Sequence, residues 1–327
     1  MRSSVLLICV FILSFGMAQQ DPQFTQFYNN RLMFNPGYSG MNGLLCAGSN
    51  FRSQWVGFPG APKTFSAWIN SRSNFLRGGL SVHFTRDQLG FEKNTRIIGS
   101  YSKHIVIGAT RLGVGVGLNM QQKTLDGNWI APQGTSGDNS IPSPTSHDWL
   151  AGMDGGAYFQ SNRLYAGLST SQITQGVFKD GTVGFKTARH YFATAGFRFT
   201  PAFARNWDLR THFLAKTDAK ATTFDLHTQA WYMDQLYAGV GYRPGDAVMF
   251  SAGIRLSGLV VGYSFDVTTS ALKNHSSNTH EISIRYCFPI HKRIIDHRIE
   301  NPRFMWGDRN NKPKSDIYTT ESFNSDW

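Results

Sequence analysis

Cys46 and Cys287 are the first residues to weigh for chemistry, because a thiol can serve as nucleophile, metal ligand or half of a disulfide. The chain has 3 cysteines, and the remaining one, Cys9, lies in an apolar leader. There is no Cys-x-x-Cys pair, so zinc-ribbon and thioredoxin-like readings have no support. The 10 histidines are scattered along the chain. No His-Glu-x-x-His and no Gly-x-Ser-x-Gly occurs, so metalloprotease and nucleophile-elbow chemistry are unannounced. Gly113-Val114-Gly115-Val116-Gly117 lacks the spacing and the following helix of a dinucleotide loop. Asp138 and Asp148 fall in one polar stretch, but their spacing is not that of a calcium loop. His147-Asp148 reads as a solvated pair. No catalytic residue, cofactor site or metal ligand set is assigned, and the expectation is a protein that is not an enzyme.

The same glycine run explains itself once it is read as a wall. Leu112, Val114, Val116 and Leu118 alternate with Gly113, Gly115 and Gly117. A period of two marks a β-strand whose faces meet different surroundings. The pattern returns at Leu164–Thr170, at Leu236–Arg243 and at Leu259–Phe265. An apolar outside and a small or polar inside, repeated along the chain, describes a transmembrane antiparallel β-barrel.

Composition agrees. Among 327 residues there are 33 glycines, aromatics make up 14%, and charged residues only 16%, below the roughly 25% of ordinary soluble domains. The formal net charge of +11 raises nucleic acid as a partner. However, Lys and Arg are dispersed singly, with no basic helix or RNP-like motif, so nucleic-acid binding is not expected. Met1-Arg2, the apolar run Val5–Phe15 and Gly16-Met17-Ala18 read as a signal peptide over residues 1–18. The run is too short for a membrane-spanning helix, which needs about 20 residues. The mature chain is expected to be exported, with an N-terminal plug or docking segment over 19–43, a barrel over 44–288 and a periplasmic tail over 289–327.

Strand candidates are Leu44–Arg52, Lys63–Ser71, Gly78–Thr85, Thr95–Ile105, Thr110–Asn119, Trp149–Gln160 and Leu164–Gln172. They continue at Tyr191–Thr200, Trp207–Lys216, Ala221–Tyr232, Leu236–Tyr242, Ala247–Leu256, Leu259–Val267 and Thr279–Phe288. That is about fourteen, an even number as bacterial barrels require. Connections such as Gln54–Pro62, Asp87–Lys93, Met120–Asp148, Ile173–His190 and Thr268–Ser277 are mostly long, and those between them are short. Long outer loops alternating with tight periplasmic turns is the asymmetry of an outer-membrane barrel. Closure makes the first and last strands neighbours, which places Cys46 near Cys287 on lumen-facing positions. A disulfide across the seam and two unpaired thiols at different heights both fit.

Gln20–Tyr28 and Met33–Gly40 form an aromatic-rich segment with Asn35-Pro36-Gly37 as a turn signal. These residues resemble the opening signature of the PorP/SprF-like outer-membrane proteins of the Bacteroidota type IX secretion system. The resemblance continues at Phe51–Thr64, which includes Gln54 and Trp55, at Gly262–Val267 and at His280–Tyr286. It spans essentially the whole mature chain. A similar Asn-Pro element occurs in the N-terminal hatch of FadL-like transporters, so a FadL-like barrel is the expected architecture.

The resemblance implies residence in the outer membrane of a gliding or secreting Gram-negative bacterium. It further implies anchoring or assisted secretion of large surface adhesins through their C-terminal signal domains. Peptidoglycan-linked or ring components in the periplasm are further implied partners. Candidate plug or partner-binding residues are Gln23, Phe24, Phe27, Asn35, Pro36, Gln54 and Trp55. Phe304 and Trp306 in the tail join them, where a disordered tail and a docking segment remain alternatives. The second function class is a FadL-like or porin-type transport barrel, and the third is a barrel enzyme that turns over lipid or peptide.

Overall fold

The structure is a computed structural model that describes residues 21–108, 110–126, 145–180, 183–270 and 278–288. The leader, Asp138 and the tail with Phe304 and Trp306 lie outside the described residues. The first strands are β1 (Leu45–Ser53), β2 (Lys63–Ser73), β3 (Gly78–Leu89), β4 (Glu92–Ile107), β5 (Thr110–Asp126) and β6 (Thr145–Gln160). Next come β7 (Leu164–Ser171), β8 (Val177–Asp180), β9 (Val183–Lys186), β10 (His190–Phe199) and β11 (Trp207–Thr217). The last are β12 (Thr222–Tyr232), β13 (Leu236–Arg243), β14 (Ala247–Leu256), β15 (Leu259–Thr268) and β16 (Thr279–Phe288). All but β8 and β9 join one closed barrel of fourteen antiparallel strands, in which β1 pairs with both β2 and β16.

The wall has the two faces that the alternation requires. Val114, Val116 and Leu118 are 53%, 54% and 66% exposed, while Gly113, Gly115 and Gly117 between them are buried. No water-filled core explains such a continuous apolar outer row, but a bilayer does. Strand β1 begins and β16 ends at the same end of the barrel, where the turns Ser161–Arg163, Met233–Gln235 and Ser257–Gly258 are short. That end is periplasmic by the usual asymmetry of such barrels. The β1–β16 register sets Cys46 opposite Cys287 near this end, with the sulfurs 2.09 Å apart in a disulfide across the seam.

Three features differ from the sequence expectation. First, β4, β5 and β6 run well past their expected outer ends at Thr95, Asn119 and Trp149. Beyond the bilayer no lipid enforces alternation, and polar pairs such as Lys123–Glu92 (3.0 Å) and Gln121–Asn94 (2.9 Å) continue the ladder instead. Second, Asp87–Lys93 is not a long outer loop, because β3 and β4 extend to a tight turn at Gly90-Phe91. Third, the β7–β10 connection contains the small β8–β9 hairpin, a two-stranded sheet of its own.

Candidate functional site

Residues 21–44 precede β1 and run through the lumen. Strand size requires something there: eight-stranded barrels are filled by their own side chains, whereas wider ones leave space. The segment folds as three short 3-10 turns, Phe27–Asn29, Arg31–Met33 and Pro36–Tyr38. The last is set by its sequence. Asn35 is extended, its side-chain oxygen accepts from the Gly37 N–H at 2.8 Å, and Pro36 supplies the fixed φ of the first position.

The turn sits on the glycine faces of the wall. A Cβ on Gly115 would overlap Pro36, one on Gly113 would strike the Gly37 carbonyl, and one on Gly156 would meet the Asn35 side chain. The Asn35 amide donates to the Ala157 carbonyl at 2.9 Å and to the Leu168 carbonyl at 3.2 Å, tying the turn to β6 and β7. The small inner face of β5 is thus a seat for Asn35-Pro36-Gly37.

Wall side chains also satisfy the segment's carbonyls, which a buried loop cannot leave unpaired. Ser169 donates to Phe34 (2.6 Å), Ser102 to Gly37 (3.0 Å) and Arg111 to Met41 (2.7 Å). His104 Nε2 lies 2.7 Å from the Ser39 carbonyl. Phe27, Tyr28 and Phe34 pack with Phe192 and Leu214 in one apolar cluster. Arg31 stands over the Tyr165 ring at 4.2 Å and donates to the Tyr158 hydroxyl at 3.1 Å.

Charge concentrates at the outer end of the segment. The backbone N–H groups of Thr25 and Gln26 donate to the Glu281 carboxylate at 2.7 and 3.0 Å. The Thr25 hydroxyl donates to Asp266 at 2.7 Å. Arg52 pairs with Asp266 at 2.8 Å and with Glu281 at 3.1 Å, all three side chains being essentially out of contact with solvent. Strands β1, β15 and β16 therefore hold the segment together at the seam. Upstream, Lys216 donates to the Asp21 carbonyl at 3.0 Å. Burial pushes the Asp21 carboxyl up, but His190, Arg96 and Lys216 outweigh it and hold it below the usual carboxylate range.

Of the residues singled out by sequence, Phe24, Phe27, Asn35 and Pro36 are buried in the lumen, and Gln23 is half-buried there. Gln54 and Trp55 are not with them. They sit in the β1–β2 connection at the outer rim, where the Trp55 N–H donates to the Thr279 hydroxyl at 3.1 Å. Arg52, Asp266 and Glu281 are not among the residues that the sequence singles out. Their signal was ionisable groups at lumen parity on three strands that closure makes adjacent. Among the described residues no group of three or more His, Cys, Asp or Glu is placed to hold a metal ion.

Over residues 16–286 the sequence matches the type IX secretion system membrane protein PorP/SprF family. The chain belongs to the PorP/SprF family. As a PorP/SprF barrel it is an outer-membrane protein of type IX secretion, and family and fold together suggest a secretion or transport role rather than catalysis. No curated protein matches it. Among solved structures, Omp33 of Acinetobacter baumannii is similar at 10% identity and TM-score 0.42, covering 75% of this chain and 100% of that one. The toluene transporter TbuX of Ralstonia pickettii is similar at 10% identity and TM-score 0.46, covering 80% and 93%. The monoaromatic hydrocarbon channel CymD gives 13% identity and TM-score 0.45, covering 84% and 96%.

Proposed function

We propose that this PorP/SprF barrel anchors or assists secretion of large surface proteins by binding their C-terminal signal domains, with its lumen kept plugged. The observation that carries this reading is the lumen segment, whose backbone is bonded to the wall from Thr25 near the outer end to Met41 near the inner end. A barrel so filled has its rims and loops, rather than a passage, to offer a macromolecule.

The test is gentle detergent extraction of the tagged protein from its own outer membrane, followed by mass spectrometry. Recovery of a large surface protein with a C-terminal sorting domain, or of a periplasmic secretion component, is the expected result. Recovery of the barrel alone, repeated after crosslinking, would return the reading to transport.

A further inference from the structure

The membrane face of the barrel is almost without charge, and its exceptions are not spread around it. Among strand residues whose side chains are described, Lys63, Arg86, Lys93 and Lys103 are the charged ones that point outward. All four are basic, and all lie on β2, β3 and β4. Strands β10 to β16 carry no outward Lys, Arg, Asp or Glu. Lys103 stands toward the inner end of β4, and the other three gather at the outer end.

Register fixes how these three sit, because cross-strand partners project to the same side. Lys63 is opposite Gln88 and Gln88 is opposite Lys93, so they form one row across β2, β3 and β4. In the next row inward, Phe65, Arg86 and Thr95 are aligned, and below them Ala67, Phe84 and Ile97. Phe65 and Ile97 are exposed apolar side chains, and the Phe65 and Phe84 rings lie 6.2 Å apart. Successive rows are about 7 Å apart along a strand. The cations therefore stand directly at the upper boundary of the apolar surface. A charge that faces lipid is costly at mid-bilayer and costs little at the interface, which is where this arrangement puts them.

The acids nearest in sequence are on the other side of the wall. Asp87 and Glu92 have lumen parity, where the Thr64 hydroxyl donates to Asp87 at 2.5 Å and Lys123 pairs with Glu92 at 3.0 Å. No acidic residue has outward parity on β2, β3 or β4. The face is thus a patch of one sign of charge set on an aromatic and aliphatic surface. Neighbouring strands are about 4.8 Å apart, so Lys63 and Lys93 are separated by roughly 10 Å, with the Gln88 amide between them. The Arg86 guanidinium lies one row inward, and its planar fork matches a phosphate.

We propose that the outward face of β2, β3 and β4 at its outer end binds a phosphorylated glycolipid of the outer leaflet. Lys63, Arg86 and Lys93 take the phosphate groups, and Phe65, Phe84 and Ile97 take the acyl chains. Two observations select this occupant. The patch is positive and lies where the headgroups of the surrounding bilayer lie, which gives it an anionic lipid as neighbour. Its cations are spread over three strands, a span that a phosphorylated sugar headgroup reaches and a single phosphodiester does not. The site goes beyond the partner-binding reading and does not depend on it.

The experiment places the full-length barrel in phosphatidylcholine nanodiscs doped with diphosphoryl lipid A and reads the lipid retained after transfer to mild detergent by native mass spectrometry. The triple variant Lys63→Gln, Arg86→Gln and Lys93→Gln should retain lipid A at least about tenfold more weakly than wild type, since each Lys or Arg held against an anionic surface contributes a factor of about five. Lys63→Arg with Lys93→Arg keeps the charges and should retain it as wild type does. Heat-modifiable migration confirms that each variant is assembled. Retention by the triple variant within about twofold of wild type would overturn the site. Displacement of lipid A by inorganic phosphate alone would overturn it in favour of a small-anion site, and equal retention of phosphatidylglycerol would overturn the glycolipid assignment. Dimers joined through Lys63 or Lys93 by an amine crosslinker, with no lipid retained, would overturn it in favour of a second copy of this chain. Each of these results leaves the partner-binding reading standing, because its own test is recovery of a protein.

Discussion

Deleting Gln23–Met41 should give discrete ion-conducting steps in planar bilayers under conditions where the wild-type barrel is expected to give none. Fourteen strands enclose a lumen wider than eight strands do, and narrower than the porins that carry an aqueous channel. Here the wall contributes Gly113, Gly115, Gly156 and Gly167 to the region around Asn35-Pro36-Gly37. Those residues have nothing to fill the space that the turn vacates, and water enters. Assembly of the deletion variant is checked by heat-modifiable migration. Gly115→Leu provides a gentler version, because its side chain competes with Pro36 for one position while every strand is kept. It should give intermittent openings. Conductance in both variants indistinguishable from wild type would mean that the segment does not seal the lumen.

Arg52→Met should loosen the outer half of the segment. Arg52 is the cation between Asp266 and Glu281, and it also donates to the Thr25 hydroxyl at 2.8 Å. Removing one member of a buried ion group leaves uncompensated charge, which costs about 3–5 kcal/mol. Two carboxylates left facing each other in the lumen then repel. Trypsin gives a direct readout, since Arg31 lies buried between Tyr38 and Tyr165. Cleavage after Arg31 should appear in the assembled variant and be absent from wild type. Adding Asp266→Asn and Glu281→Gln to Arg52→Met removes the stranded charge and should recover most of the resistance. Unchanged protection in Arg52→Met would show that the apolar contacts of Phe27, Tyr28 and Phe34 hold the segment without the ion group.

The barrel was legible because the bilayer imposes one rule on every outward position. Leu112 to Leu118 follows it without exception, and so do the strand count and the parity of the short turns. Where the rule lapses, the sequence carries no such signal. Gln121, Gln122 and Lys123 continue β5 outside the bilayer through paired polar side chains, which leave no alternation to detect. Strands β8 and β9 span four residues each, too few for a period to register.

The site was legible in part. Asn35-Pro36-Gly37 announces a turn, and the glycine face of β5 announces a close approach, but only the three-dimensional register shows that one fits the other. Gln54 and Trp55 share a resemblance with the segment, yet they occupy the outer rim. Arg52 is separated from Asp266 and from Glu281 by more than two hundred residues along the chain and by one ion-pair distance in the fold.

The most direct test of the account is equilibrium binding between the wild-type barrel in nanodiscs and the purified C-terminal signal domain of a surface protein from the same bacterium, run beside solute flux through the same preparation. Saturable binding with one domain per barrel and no flux above that of empty lipid is the expected result. Flux without binding would contradict it and identify the lumen, rather than the rim, as the working part of the molecule.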